Sequence, residues 1–125
     1  LTAVPGNYMW NRSATNITTT TASLMGMLNA PQSTFDVNVY WSTQNNANAS
    51  AWLLDSSAFN TSMGSHGNVT GYSIAEPVTS LIPDTTYFYT MQATNGMTNI
   101  WAAANASFVT EASNLPPGTT VFKFR

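Results

Sequence analysis

Apolar and polar residues alternate along short segments of this 125-residue chain, and clusters of Asn, Gly, Pro and Ser separate the segments. In one such segment, Phe35, Val37, Val39 and Trp41 fall on one face, and polar residues occupy most of the other. A period of two residues is that of a half-buried antiparallel strand, and helical periodicity is nearly absent. The pattern therefore predicts an all-β domain.

Seven short strands are predicted from these segments. Their approximate bounds are 14–18, 21–28, 35–43, 52–55, 72–79, 86–94 and 100–110. Asn29-Ala30-Pro31 is expected to separate the second strand from the third, and the stretch 56–71 is expected to be a loop. Strands of this number and spacing are typical of a two-sheet antiparallel sandwich. We expect a single core that contains Trp41, Tyr87, Tyr89 and Phe108.

A more specific motif lies before the strand at 86–94, where the chain reads Leu81-x-Pro83-x-Thr85-x-Tyr87. The motif resembles the corner of fibronectin type III domains, in which the tyrosine packs inward and its hydroxyl bonds to backbone upstream. The hairpin sequence at 93–96 is also similar to that family. The resemblance covers residues 13–111 and implies a seven-stranded immunoglobulin-like sandwich.

The two ends of the chain carry a further pattern. The segment 115–122, which reads LPPGTTVF, parallels 81–88, and Trp10 falls opposite Trp101 when residue 1 is written after residue 125. Either a linker and a leader match by chance, or 1–12 and 112–125 are halves of one hairpin that a neighbouring copy completes. On the second interpretation, contacts between copies involve Leu1, Val4, Trp10, Val121, Phe122 and Phe124.

Charge is scarce, since 6% of the residues are charged and the formal net charge is −2. Binding to nucleic acid needs Lys and Arg that neutralise phosphates, so this composition argues against it. No apolar run approaches the ~18 residues of a membrane span, and Leu1–Trp10 lacks the pattern of a signal peptide. Surfaces rich in Thr, Asn and Ser suit secreted proteins, and we expect an extracellular or cell-surface location.

Groups for catalysis or metal binding are few. The chain has no cysteine and a single histidine, His66, whose nearest carboxylate in the sequence is Asp55. A catalytic or metal site needs several convergent groups, and the remaining carboxylates are scattered. We therefore expect a protein that is not an enzyme and that carries no metal or cofactor.

Six Asn-x-Ser/Thr sequons are candidate sites for attached glycans. They begin at Asn11, Asn16, Asn48, Asn60, Asn68 and Asn105. Two aromatic residues, Tyr40 and Phe88, are expected to point outward from neighbouring strands of one sheet. They are candidates for a surface contact, either with a neighbouring subunit or with a sugar ring.

Two functions follow from these features. The first is a repeating unit of an extracellular filament, in which copies assemble head to tail through their terminal strands. The second is a carbohydrate-binding or adhesive module of a larger secreted protein. The first requires both chain ends to be ordered against a neighbour, whereas the second requires an open aromatic face at Tyr40 and Phe88.

Overall fold

The computed structural model describes residues 6–113, which form six antiparallel strands and one short helix. In chain order these are β1 (Tyr8–Thr15), β2 (Ala22–Ser42), α1 (Ala49–Leu54), β3 (Phe59–Val78), β4 (Thr86–Thr94), β5 (Asn99–Trp101) and β6 (Ala106–Val109). Within residues 6–113, no helix has the length and apolar character needed to cross a membrane.

Two long strands, β2 and β3, run through both halves of the fold. The first half of β2 pairs with β1 on one side and with the second half of β3 on the other. The second half of β2 pairs with the first half of β3 and with β4, and β4 also pairs with β5 and β6. The result is a curled all-β sheet with a sandwich-like arrangement.

The core lies between the two halves, because alternate residues along β2 and β4 face inward. Its most deeply buried side chains are Leu24, Leu28, Phe35, Val37, Val39, Ile74, Tyr89 and Met91. Of the four residues expected in the core, Tyr87, Tyr89 and Phe108 are buried. Trp41 is only partly buried and packs at the margin of the core, where its ring stacks on Phe59 at 5.7 Å. Trp41 therefore packs against the core and is not buried within it as the sequence predicted.

The predicted corner and the strand after it are confirmed. The hydroxyl of Tyr87 accepts a hydrogen bond from the backbone N–H of Ile82 at 2.9 Å, and the Tyr87 ring stacks on Phe108. Asp84 adopts a positive φ of 53°, as expected of an aspartate in a turn. Strand β4 then has the predicted bounds.

The predicted break at Asn29–Pro31 is wrong, because β2 continues from Ala22 to Ser42. Pairing with β3 shifts register between Ala30 and Thr34, so Pro31 lies where no ladder hydrogen bond is needed. Ala30, at the start of this register shift, is fully buried and belongs to the core. Two predicted strands are thus one bent strand.

Four other boundaries are corrected. The first strand, expected at 14–18, is β1 over Tyr8–Thr15. The stretch expected as a loop at 56–71 belongs mostly to β3, whose positive φ values at Gly64, Asn68 and Gly71 accommodate irregular pairing. The short strand expected at 52–55 is replaced by α1. The last predicted strand is divided into β5 and β6.

Candidate functional site

The segment between β2 and β3 folds around one carboxylate, that of Asp55. Its two oxygens accept hydrogen bonds from the Ser42 hydroxyl at 2.6 Å and from the Asn46 amide at 2.9 Å. They also accept from the Gln44 amide and from both the backbone and hydroxyl of Ser57. The hydrogen bonds from Ser42, Ser57 and Asn46 stabilise the ionised form and hold the pKa of Asp55 well below its ordinary value.

Helix α1 is carried by this segment and begins at an N-cap, since the side-chain Oδ1 of Asn48 accepts a hydrogen bond from Ala51 N at 2.9 Å. The helix places Trp52 against the outer surface of the sheet, where it is only 3% exposed. The Trp52 indole N–H donates to Asn105 Oδ1 at 3.1 Å, and Asn105 Nδ2 donates to the Asn46 carbonyl at 2.6 Å. Asn105 thus joins α1 to the chain after β5.

Three aromatic rings meet on this surface. The Tyr40 ring lies 5.2 Å from Trp101 and 6.3 Å from Trp52, measured between centroids, and both pairs are tilted. Aromatic pairs with centroids at these distances add a favourable contact to the area they bury. Burial raises the pKa of the Tyr40 hydroxyl, so it stays protonated. Trp101 remains partly exposed.

These elements border an open cleft of about 480 Å³, which we call the outer cleft. Its lining residues are Asn45, Ala47, Asn48, Ala49, Trp52, Thr90, Trp101, Ala102, Ala103, Ala104 and Asn105. The volume lies in the range of small-molecule sites, roughly 300–1,000 Å³. None of these lining residues carries a charge.

The outer cleft offers an indole surface and carboxamide groups. Asn45 and Asn48 are exposed, and each uses its Oδ1 atom in a hydrogen bond to protein. Their Nδ2 groups are further hydrogen-bond donors on residues that line the cleft. A partly exposed ring beside neutral donors suits an uncharged ligand with hydroxyl groups and an apolar face.

The two residues of the predicted surface pair lie on neighbouring strands, β2 and β4, and neither lines the outer cleft. Tyr40 packs beneath the two indoles of the outer cleft. Phe88, which is partly buried and lies in register with Ser42, is not among the residues that line the cleft. Trp52, Trp101 and Asn105 were not predicted as members of one site. Asn48, followed by Ala49, Ser50 and Ala51, is the helix-start signal that could have indicated α1.

The sequons fall into two groups. Asn48, Asn60 and Asn68 are exposed, the last two on β3, and Asn16 is exposed at the end of β1. The side chains of Asn11 and Asn105 instead make several hydrogen bonds within the fold. Asn11 Nδ2 donates to the Ala104 carbonyl at 2.6 Å, and Asn105 Nδ2 donates to Asn45 and Asn46.

Of the residues predicted to make contacts between copies, the structure describes one. Trp10 is 44% exposed on β1, where it lies in register with Met27 of the same chain and 5.4 Å from the Tyr8 ring. The other five lie outside the described residues. They are Leu1, Val4, Val121, Phe122 and Phe124.

His66 lies on β3, away from the outer cleft. Its ring stacks on Tyr72 at 4.6 Å, and Nε2 lies 3.0 Å from the Met63 carbonyl. Among residues 6–113, no group of three or more His, Cys, Asp or Glu side chains is arranged to hold a metal ion.

Comparison with known proteins identifies the fold but no family. No protein-family model matches the chain, and no curated protein has a significant sequence match. Solved structures are similar. The sensor domain of the anti-sigma factor RsgI4 from Pseudobacteroides cellulosolvens, in a short form, has a TM-score of 0.62 at 16% identity, covering 88% of this chain and 99% of that one.

Two further structures resemble the chain to a similar extent. The solution structure of the same sensor domain has a TM-score of 0.59 at 16% identity and covers 91% of this chain and 89% of that one. A computationally redesigned β-sandwich protein has a TM-score of 0.59 at 21% identity and covers 90% and 96% of the two chains. At these identities the likeness establishes a β-sandwich fold.

Proposed function

We propose that this chain is a non-enzymatic recognition module of a larger extracellular protein, and that it binds a neutral carbohydrate in the outer cleft. The observation that carries the proposal is the combination of Trp101, partly exposed, with the amide donors of Asn45 and Asn48 in a cleft whose lining is uncharged. A sugar ring presents C–H groups that pack on an indole, and its hydroxyl groups accept from amides.

The filament repeat expected from the sequence is wrong. The similar structures found over about nine-tenths of the chain include sensor domains of an anti-sigma factor and a β-sandwich, not filament subunits. The described part of the N-terminal segment, with Trp10, pairs with β2 of its own chain. A sensor domain must recognise something, so these neighbours favour a recognition role.

We further propose that the sandwich is of the fibronectin type III kind. Two features support this assignment. First, register shifts divide each of the long strands β2 and β3 into two halves, so that together they correspond to four shorter strands. Second, the Tyr87 hydroxyl accepts a hydrogen bond from the backbone N–H of Ile82 at the corner. The exposed sequons and the low charge support an extracellular location.

Binding to an array of neutral oligosaccharides, followed by titration calorimetry of the best ligand, tests the proposed function. We expect Trp101→Ala to weaken binding at least about tenfold, because stacking on the indole is lost. Trp10→Ala is the matched control, since it removes a partly exposed tryptophan from another surface. The proposal fails if no neutral oligosaccharide binds, or if both variants bind it as the wild type does.

A further inference from the structure

The wall of the outer cleft is formed where the sheet has a gap. Strand β5 pairs with the end of β4 at residues 92–94, and β6 pairs with its beginning at residues 86–89. Residues 102–105 leave the sheet between these two pairings and line the cleft. The backbone N–H of Ala102 donates to the Met91 carbonyl at 3.1 Å, and the rest of the wall needs support from elsewhere.

The side chain of Asn11, on β1, contacts residues on both sides of this gap. Its Nδ2 donates to the Ala104 carbonyl at 2.6 Å and to the Thr90 hydroxyl at 3.1 Å. The Tyr89 carbonyl lies at 3.5 Å from the same nitrogen. Ala104 and Thr90 both line the outer cleft, so one amide on another strand contacts the wall and the floor.

Strand β1 is closely fixed at this point. Gly26, the register partner of Asn11, has no room for a Cβ atom, which would lie 2.3 Å from Met91 Sδ and 2.8 Å from the Trp10 carbonyl oxygen. The Tyr89 hydroxyl also donates to the backbone carbonyl of Arg12. The backbone of β1 that carries the Asn11 side chain is therefore held in place.

The Asn11 carbonyl oxygen gives a second, independent observation. Oδ1 is buried and has no hydrogen-bond partner within the described residues. Burying an acceptor without a donor is unfavourable, and an apolar side chain would avoid that cost. The presence of a carboxamide at this position is therefore explained by what its Nδ2 group holds in place.

We infer that Asn11 is a positioning residue for the outer cleft, and that it couples β1 to ligand binding. A ligand that orders residues 102–105 stabilises their contact with Asn11 and hence the docking of β1. By linkage, displacing β1 weakens ligand binding by the same factor. The coupling rests on the proposed function, whereas the positioning role can be tested without a ligand.

Hydrogen exchange and NMR of the free protein test the positioning role. In Asn11→Ala, we expect exchange of the Ala102 amide and of the Trp52 indole N–H to accelerate about tenfold, as the loss of roughly one net hydrogen bond implies. Asn29→Ala is the matched control. Asn29 also bonds to two backbone groups, Gly6 O and Gly71 N, but does not line the cleft.

Unchanged exchange at Ala102 and Trp52 in Asn11→Ala overturns the inference, as does an equal acceleration in Asn29→Ala. Thr90→Val provides a second test if Asn11→Ala does not fold, because it removes one acceptor of the Asn11 amide and keeps the shape of the side chain. We expect a smaller acceleration at the same two groups, and no change there rejects the positioning role.

The coupling is then measured with the neutral oligosaccharide that binds the wild type best. We expect Asn11→Ala to weaken its binding about tenfold and Asn29→Ala to leave its binding unchanged. In the wild type, we expect the backbone amides of Asn11 and Arg12 to exchange more slowly when the oligosaccharide is bound. Equal binding by the wild type and Asn11→Ala rejects the coupling. If no oligosaccharide binds the wild type, the proposed function and the coupling fail together, while exchange in the free protein still decides the positioning role.

Discussion

The four tryptophans of this chain differ sharply in how much each can contribute to stability. Trp52 is almost fully buried outside the main core and donates its indole N–H to Asn105, whereas Trp41 is partly exposed and stacks on Phe59. Trp101 lies in the outer cleft, and Trp10 lies on β1 and is 44% exposed. Burial and a satisfied polar group distinguish Trp52 from the others.

We expect Trp52→Ala to lower the free energy of unfolding by ~3–5 kcal/mol, since a large buried side chain is removed and Asn105 Oδ1 loses its donor. Trp41→Ala is expected to cost about half as much, because part of its surface is already exposed. Urea unfolding followed by circular dichroism measures both. A larger loss for Trp41→Ala than for Trp52→Ala would contradict this ranking.

The hydrogen bonds of individual asparagines also predict where glycans attach. In cells that glycosylate Asn-x-Ser/Thr sites, we expect modification at Asn60 or Asn68, whose side chains are exposed and do not line the outer cleft. Asn11 and Asn105 are expected to stay bare, because their Nδ2 groups are engaged within the fold. Mass spectrometry of glycopeptides decides this, and occupancy confined to Asn11 or Asn105 is the contrary result.

At the scale of elements, the segment that carries α1 depends on the ionisation of Asp55. Its pKa is lower in the folded protein than in the unfolded chain, so the stabilisation is complete above the unfolded value, near ~4. It is lost progressively as the pH falls below that value, because the unfolded chain then binds the proton first. Protonation weakens the hydrogen bonds from Ser42, Asn46 and Ser57.

Thermal unfolding between pH 2 and pH 7 tests this dependence. We expect Asp55→Asn to lower stability at pH 7 and to flatten the decline below pH ~4, because no proton is then linked to this position. Ser57→Ala keeps the carboxylate and removes one donor, and should give a decline of intermediate steepness. Equal declines in the wild type and in Asp55→Asn would exclude Asp55 as the responsible group.

The elements that could be predicted from the sequence are those determined by local pattern. The corner at Leu81–Tyr87 and the strand β4 were predicted because spacing, turn residues and alternation agree there. The break at Pro31 was not correct, since a proline at a register shift loses no ladder hydrogen bond. Whether a proline ends a strand depends on what lies opposite it, which is a long-range property.

The candidate site was harder to predict for the same reason. Alternation indicated that Tyr40 points outward, but it could not indicate that α1 brings Trp52 over it or that β5 brings Trp101 beside it. Asn11 is separated from its partner Ala104 by 93 positions in sequence. Contacts at that distance follow from the pairing of β1 and β2, which the sequence alone left open.

At the scale of the whole molecule, charge is scarce, and this predicts how ligand affinity depends on salt concentration. The outer cleft is lined by uncharged residues, and the chain has a net charge of only −2. Raising the ionic strength from 0.1 M to 1 M shortens the screening length from about 10 Å to about 3 Å and weakens attraction between exposed charges. A ligand held by neutral amides and an indole has little such attraction to lose.

We therefore expect the affinity for a neutral oligosaccharide to change less than about twofold between 0.1 M and 1 M NaCl. A sulfated oligosaccharide of the same length is the control and should bind more weakly, since no cation lines the outer cleft to offset the loss of its hydration. Titration calorimetry at the two salt concentrations measures both. Preferential binding of the sulfated ligand, with a steep loss of affinity in 1 M NaCl, would place recognition on a charged surface elsewhere on the molecule.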